Sequence, residues 1–427
     1  MRHVRHPASL SFVFGAFVNP RINLRAAALA AALLPLLSQG ATLTLDQAMS
    51  LAVQRSEAAR AARAGVTSAA ETARAAAQLP DPVLRAGIDN LPISGSDRFS
   101  GRDSMTMKRV GISQEWLSSS KRAARQAVAD AAVQREAAVA RASQTDVRLQ
   151  TGLAYLDVYF ARSELELVTE AQHHAHDALE AARARLASAT ATSQEVLGLS
   201  GARGMAEDET AEARQQLEVA RVALTRWIGA SVDDLAAPEA LPAPTESAYV
   251  ANHPAVIAAE RDVDLARADT ESARTNRHPN WSWEVSYGQR SRYPDMVSVG
   301  ISIPLAIAPA QRQDRELAAK LALAEKAEAQ LAETTRMATA EYRMLAAEAA
   351  RLAGRVDRYR TAVVLPAQQR TAVAMAAYRS NQVPLTTLFE SRHAELEARR
   401  KLLALQRDLA RAQASLAFKA FIEGDRP

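Results

Sequence analysis

Asn280–Leu305, NWSWEVSYGQRSRYPDMVSVGISIPL, breaks sharply with the Ala-, Arg-, Glu- and Leu-rich chain around it. Its residues alternate. Trp281, Trp283, Val285 and Tyr287 fall on one side, and Asn280, Ser282, Glu284, Ser286 and Gly288 on the other. Beyond a turn at Tyr293-Pro294-Asp295, Val297, Val299, Ile301 and Ile303 share one side, opposite Met296, Ser298, Gly300 and Ser302. A period of two marks a strand with one apolar face, so residues of about 280–305 are predicted to form a β-hairpin.

A second hairpin is predicted at about 82–117. Leu84, Ala86 and Ile88 alternate with Arg85, Gly87 and Asp89; after the loop Asn90–Ser104, Val110 and Ile112 oppose Gly111 and Ser113. The two hairpins have matching surroundings. Each follows an Ala-rich helical stretch stopped by proline (Pro80 and Pro82, or Pro279), and each contains the tripeptide Gly-Ile-Ser (Gly111–Ser113 and Gly300–Ser302). A long charged helix follows each one, so the chain reads as an internal duplication with a period of about 190 residues.

The expected organisation is an export leader at 1–40, then a first repeat at 41–230 with a helix, the hairpin, a long helix at 121–187 and a return helix at 193–228. A linker at 231–250 leads to a second repeat at 251–427, with a helix, the hairpin and long helices at 311–380 and 384–421. The 121–187 helix contains no proline and would be a rod of roughly 100 Å. Within it Leu149, Leu153, Leu156, Phe160 and Leu167 form a coiled-coil seam. In the last helix Phe389, Leu396, Leu403, Ala410 and Ala417 form one heptad row, and Leu388, Leu402, Leu409 and Leu416 a neighbouring one. Two rows mean packing on two flanks, the pattern that a closed ring of helices needs.

Lys and Arg total 52 and Asp and Glu 48. The four-residue excess equals Arg2, Arg5, Arg21 and Arg25 of the leader, so the remainder is balanced and lacks the basic surplus of a nucleic-acid binder. There is no cysteine, which excludes disulfides and thiolate metal sites. Arg21 and Arg25 precede the apolar run Ala26–Leu37 and the small residues Ser38–Ala41, which suit cleavage after Gly40. The alternative is a membrane anchor or a buried helix. No later run is long and apolar enough to span a bilayer as a helix, so a membrane crossing must use strands.

Four strands in one chain cannot close a barrel, and unpaired edges are not tolerated in lipid. Several chains must contribute. The face with Trp281, Trp283, Val285, Tyr287, Val297, Val299, Ile301 and Ile303 would meet lipid, with Trp116 near a strand end as part of an aromatic girdle. Arg85, Asp89, Glu284, Ser and Gly would line a wet lumen.

This arrangement resembles the TolC family of outer-membrane efflux channels. LPDPVLRAGIDNLPISGSDRFS (79–100) followed by MTMKRVGISQEW (105–116) resembles its CzcC/CusC branch, which serves heavy-metal pumps of the resistance-nodulation-division class. The resemblance implies a mainly α fold with a small β part. Long antiparallel coiled-coil helices would form a trimeric α-barrel, continuous with a twelve-stranded transmembrane β-barrel to which each chain gives four strands. It implies a homotrimer in the outer membrane reaching into the periplasm, a periplasmic adaptor, an inner-membrane pump and no cofactor. The chain departs from the family's lipoproteins in lacking the anchoring cysteine.

The family also directs attention to the helical tips farthest from the membrane. These should be Ala189, Thr190, Ala191, Thr192 and Ser193, and Ser380, Asn381, Gln382, Val383 and Pro384, as the adaptor-docking surface. Glu195 and Glu390, just past each turn, are the gate candidates, because three copies would ring a narrow mouth with carboxylates. Both are equally readable as solvated acids near a helix N-terminus. His173, His176 and Asp177 in QHHAHD are weak candidates for a zinc or copper set. No phosphate loop, nucleophile elbow or HExxH motif occurs, so an enzyme is not expected. The functional expectation is a passive duct for heavy-metal cations. The alternatives are a duct for drugs or for type I protein secretion and, in a different class, a structural coiled-coil protein of the periplasm.

Overall fold

The computed structural model describes residues 42–231, 234–239 and 241–420. The expected leader at 1–40 lies outside the described residues.

The chain opens with two helices, α1 (Leu45–Arg55) and α2 (Glu57–Ala76). Ser56 separates them: it ends α1 in an extended conformation, and its hydroxyl accepts the Ala59 N–H at 3.2 Å to cap α2. Strands β1 (Val83–Asp89) and β2 (Met107–Trp116) follow. Helix α3 (Ser119–Ala187), capped by Ser118, and α4 (Ser193–Ile228), capped by Thr192 and ended by Gly229 at φ 67°, form the first long hairpin. Short α5 (Glu246–Ala251) begins within the segment expected at 231–250 as a linker or equatorial segment. Its cap is Thr245, whose hydroxyl accepts the Ala248 N–H.

Helix α6 (Pro254–Thr275) starts with proline in its first turn, where no N–H is needed. Strands β3 (Trp281–Arg290) and β4 (Met296–Ser302) come next. The long helix expected over 311–380 is not continuous. It comprises α7 (Gln313–Tyr359), one π turn at Arg360–Val364, and α8 (Leu365–Arg379). Pro366 has no N–H to donate, and in an unbroken α-helix its ring would strike the carbonyl four residues earlier; the widened turn immediately before it absorbs both defects. The last helix, α9, runs Leu385–Phe418.

The paired seams of α9 find two partners. Toward α3, Leu403, Ala410, Ala414, Ala417 and Phe418 join Leu149, Leu156 and Phe160 in the largest core, together with Leu45 and Met49 of α1. Toward α7, Leu402, Leu405, Leu409 and Ala412 meet Leu352 and Val356. Each buried Leu or Phe contributes about 1.5–3 kcal/mol. The segment after α4 is stitched to the start of the described chain by a parallel bridge between Leu43 and Leu235. The Tyr155 hydroxyl sits between the Leu43 and Ala236 carbonyls at 2.8 and 2.7 Å, and burial pushes its pKa up to about 12.

Candidate functional site

The four strands form one antiparallel sheet in the order β1-β2-β3-β4, so the two hairpins join through β2 and β3. The register places residues in rows across all four strands. Leu84, Ile112, Val285 and Val299 form one row, and Ala86, Val110, Tyr287 and Val297 the next; Gln114, Trp283 and Ile301 form a third. Trp116 pairs directly with Trp281, and their ring centroids lie 6.0 Å apart. This apolar face is bare: Val299 is 72% exposed and Leu84 70%.

The opposite face is polar and close-set. Arg85, Gly111, Ser286 and Ser298 form one row; Gly87, Arg109, Gly288 and Met296 form another. Each strand thus places one glycine on this face. At Gly111 the need is steric, since a Cβ would lie 2.6 Å from the Ser286 Cβ and 3.0 Å from the Val285 carbonyl. Ser286 is buried. Glycines confined to one side let a sheet curl toward that side, and the polar face borders an open hollow of about 980 Å³. Below the sheet, the buried Lys121 ammonium donates to Asn280 Oδ1 at 2.6 Å, and Asn280 donates to Glu115 Oε1 at 2.7 Å. These bonds tie the start of α3 to the start of β3. β1 and β4 are the sheet's outer strands.

At the other end, the two long hairpins close by the same turn. Thr190 N–H donates to the Arg185 carbonyl and Gln382 N–H to the Ala377 carbonyl, both at 2.8 Å. The residue between, Ala189 (φ 52°) or Asn381 (φ 56°), takes the left-handed conformation. Ser193 then opens α4, and Pro384 caps α9. Thr190, Thr192, Ser193, Ser380, Asn381, Gln382 and Pro384 are exposed, while Ala191 and Val383 are half-buried. Ala178, Leu179, Ala182 and Leu199 of the first hairpin pack with Ala374, Leu385 and Leu388 of the second.

The two tip carboxylates differ. Glu390 is exposed and has no ion partner among the described residues. Glu195, the other gate candidate, turns inward. Its Oε1 lies 3.7 Å from Arg185 Nη1 and its side chain is 12% exposed. Arg185 also donates to the Thr190 carbonyl at 3.1 Å and lies over the Tyr378 ring at 6.0 Å, reaching the second hairpin. The weak metal set does not assemble. His173 approaches Asp177 at 3.5 Å, but His174 turns toward Glu170 at 4.0 Å. His176 points to solvent, and no metal-holding group of three ligands occurs among the described residues. The i, i+3, i+4 spacing puts His173, His176 and Asp177 on one face of α3, but only His173 and Asp177 approach each other.

A third cluster carries no sequence motif. Three consecutive residues of α7 hold the segment between the repeats. Tyr342 donates to the Pro244 carbonyl at 3.0 Å, and Arg343 pairs with Glu246 at 2.8 Å. Glu341 takes His253 Nε2 at 3.2 Å and the Lys419 ammonium. His253 Nδ1 accepts the Ala255 N–H at 3.3 Å, capping α6. Burial lowers the His253 pKa below 6.5; Glu341 opposes this and Lys419 adds to it. The buried Tyr249 ring packs against both His253 and Tyr342, and burial raises its pKa.

No family profile and no curated protein matches the chain. Solved structures do match its fold. The outer membrane protein VceC of Vibrio cholerae superposes with a TM-score of 0.72 at 17% identity, over 89% of this chain and 97% of that one. The outer-membrane channel OprN gives 0.73 at 17% identity over 88% and 90% of the two chains. CusC, whose structures concern transmembrane channel formation, gives 0.71 at 16% identity over 88% and 91%. The fold of this chain is that of outer-membrane channel subunits.

Proposed function

We propose that three copies of this chain assemble into a channel of the outer membrane that extends into the periplasm. The sheet carries this reading. It has an exposed apolar face ringed at one end by Trp116 and Trp281, a polar face with a glycine in every strand, and outer strands β1 and β4 left to pair with other copies. Joining β1 of one copy to β4 of the next closes a twelve-stranded barrel and leaves no edge in lipid. Below it, Leu197, Val219 and Val222 of α4 and Met337, Met344 and Val373 of α7 and α8 are exposed. These helices lie on opposite flanks of the α3–α9 pair and would meet between neighbouring copies, continuing the barrel as a helical tunnel.

The channel passively accepts cargo from an inner-membrane pump of the resistance-nodulation-division class through a periplasmic adaptor docked at the two tips. The likeness of residues 79–116 to the CzcC/CusC branch supports heavy-metal cations as that cargo. The test has two stages. The purified protein should require detergent for extraction, migrate as a trimer in unheated SDS and conduct in planar bilayers; release by osmotic shock as a soluble rod would instead favour a periplasmic structural role. Deleting it while the companion pump stays intact should raise sensitivity to Zn²⁺, Co²⁺, Cd²⁺, Cu⁺ or Ag⁺. Unchanged tolerance to all five, in a strain with no second such channel, would remove the metal assignment while leaving the channel.

A further inference from the structure

The polar face of the sheet bears three arginines, Arg85, Arg109 and Arg290, and three carboxylates, Asp89, Glu115 and Glu284. β4 adds no charge to it. The groups are arranged by the glycines. Arg85 on β1 pairs with Glu284 on β3 at 3.3 Å, across a β2 whose residue opposite Arg85 is Gly111. Arg109 stands between Gly87 and Gly288 in its row and pairs with Asp89 at 2.8 Å. Arg85 and Arg109 thus each have glycine as their neighbour on the adjoining strand, and Glu284 has the small Ser113. Glu115 is engaged by Asn280, and the Arg290 guanidinium lies 5.2 Å from the centre of the Tyr293 ring.

We infer that Glu284 is one of the carboxylates that keep the lumen electrically balanced, so that the barrel passes ions of both signs and leaves cargo selection to the components upstream. This rests on the channel reading of the preceding section, because only closure of the sheet turns its polar face into a lumen. The balance is one of number rather than of locked pairs. Arg85 and Glu284 are 64% and 32% exposed, and pairs so open contribute little binding energy and are screened by salt. Their fields nevertheless add within a pore whose low-dielectric walls focus them. Losing Glu284 leaves one uncancelled arginine in each chain, and three in the trimer project around one ring. Losing Arg85 leaves the opposite excess. A lumen lined by arginines would repel a metal cation; a balanced one admits it without holding it.

The experiment is the reversal potential of single trimers in a planar bilayer under a salt gradient at low ionic strength. The parent for this comparison carries Glu390→Gln, which removes the carboxylates proposed at the mouth, and should show a chloride-to-potassium permeability ratio near one. Glu284→Gln should raise it by roughly twofold or more, Arg85→Gln should lower it by a similar factor, and the double variant should return to the parent's value. Because Arg85→Gln carries the same test with opposite sign, loss of assembly in one variant does not remove it. Conducting single variants with the parent's ratio would overturn the inference and leave the channel reading intact. A parent that conducts but is already strongly selective would do the same. A parent that carries no current overturns the channel reading, and the inference with it.

Discussion

Arg185 and Glu195 face each other across the first tip, with Nη1 and Oε1 3.7 Å apart and the carboxylate largely shielded from solvent. Glu390, in the second turn of α9 beyond the other tip, stands in water. The two acids therefore have separable effects. Glu390→Ala should weaken block of the reconstituted channel by trivalent cations from the periplasmic side by roughly threefold or more. Glu195→Ala should leave the block unchanged but destabilise the tip by about 1–2 kcal/mol, because it strands a partly buried guanidinium. The double variant Arg185→Ala/Glu195→Ala should recover part of that loss. Block equal to the parent's in both single variants would mean that neither carboxylate lines the mouth.

The faces of the sheet are tested by arginine substitutions on one strand. Val299→Arg and Ile301→Arg would each place a cation in lipid at a cost of roughly 2–4 kcal/mol per chain and should abolish the trimer. Ser298→Arg and Ser302→Arg point the other way and should assemble with reduced conductance. Trimer yield in unheated SDS separates the pairs, and identical behaviour would mean that the face assignment is wrong.

The glycines of the polar face are not equivalent. Gly111→Ala brings a methyl against Ser286 and the Val285 backbone and should lower stability by about 1–3 kcal/mol. Gly300→Ala meets nothing within 4 Å and should be close to neutral. The thermal midpoint of trimer dissociation is the readout.

Ala189 holds a left-handed conformation that costs an ordinary residue about 1–2 kcal/mol, whereas asparagine tolerates it. Ala189→Gly should therefore stabilise the first tip by about 0.5–1 kcal/mol, net of glycine's extra freedom in the unfolded chain. Asn381→Gly should gain less. Amide exchange at Thr190 and Gln382 reports each turn separately.

His253 is neutral in the folded clasp, with Nδ1 accepting from Ala255 and Nε2–H donating to Glu341. Its pKa lies below the unfolded value of 6.5, so the unfolded chain takes up a proton first as the pH falls. The stabilisation is complete above about pH 6.5 and declines as the pH drops toward the lowered folded value. Protonation also places a hydrogen on Nδ1, which can then no longer cap α6. Glu341, Lys419 and Tyr249 surround the ring and do not replace that acceptor. Thermal unfolding between pH 7.5 and 5 should fall less steeply for His253→Gln than for the parent; matching slopes would rule out this histidine as the source.

The strands were legible because each residue is answered by the next: the alternation from Trp281 to Ile303 assigns both faces without knowledge of any neighbour. The tips came from the family resemblance rather than from periodicity, and the turns do fall at Ala189 and Asn381. The division at Ser56 carried only a short local signal, a serine with capping chemistry inside an Ala-rich run. Pro366 was visible, but its accommodation by a π turn depends on how α9 holds the helix. The pairing of Arg185 with Glu195, and the grip of Glu341, Tyr342 and Arg343 on the inter-repeat segment, join residues far apart in sequence or on different helices. No periodicity encodes such contacts. QHHAHD was only a weak metal candidate: its spacing puts His173, His176 and Asp177 on one face, but a shared face does not fix side chains around a common point.

The π turn at Arg360–Val364 makes the two long hairpins mechanically unlike. An inserted residue rotates everything beyond it by about 100° about the helix axis, so α8 presents its side chains to α9 out of phase with α7. The ladder of backbone bonds is weakest at that step and is weakened again by Pro366. The α3 rod opposite has no such step over its 69 residues. Load applied at the tips is therefore not shared evenly. The first hairpin behaves as a stiff post, while the last four or so turns of α8 form the sprung arm of a pair of tweezers, flexing about a single fixed point.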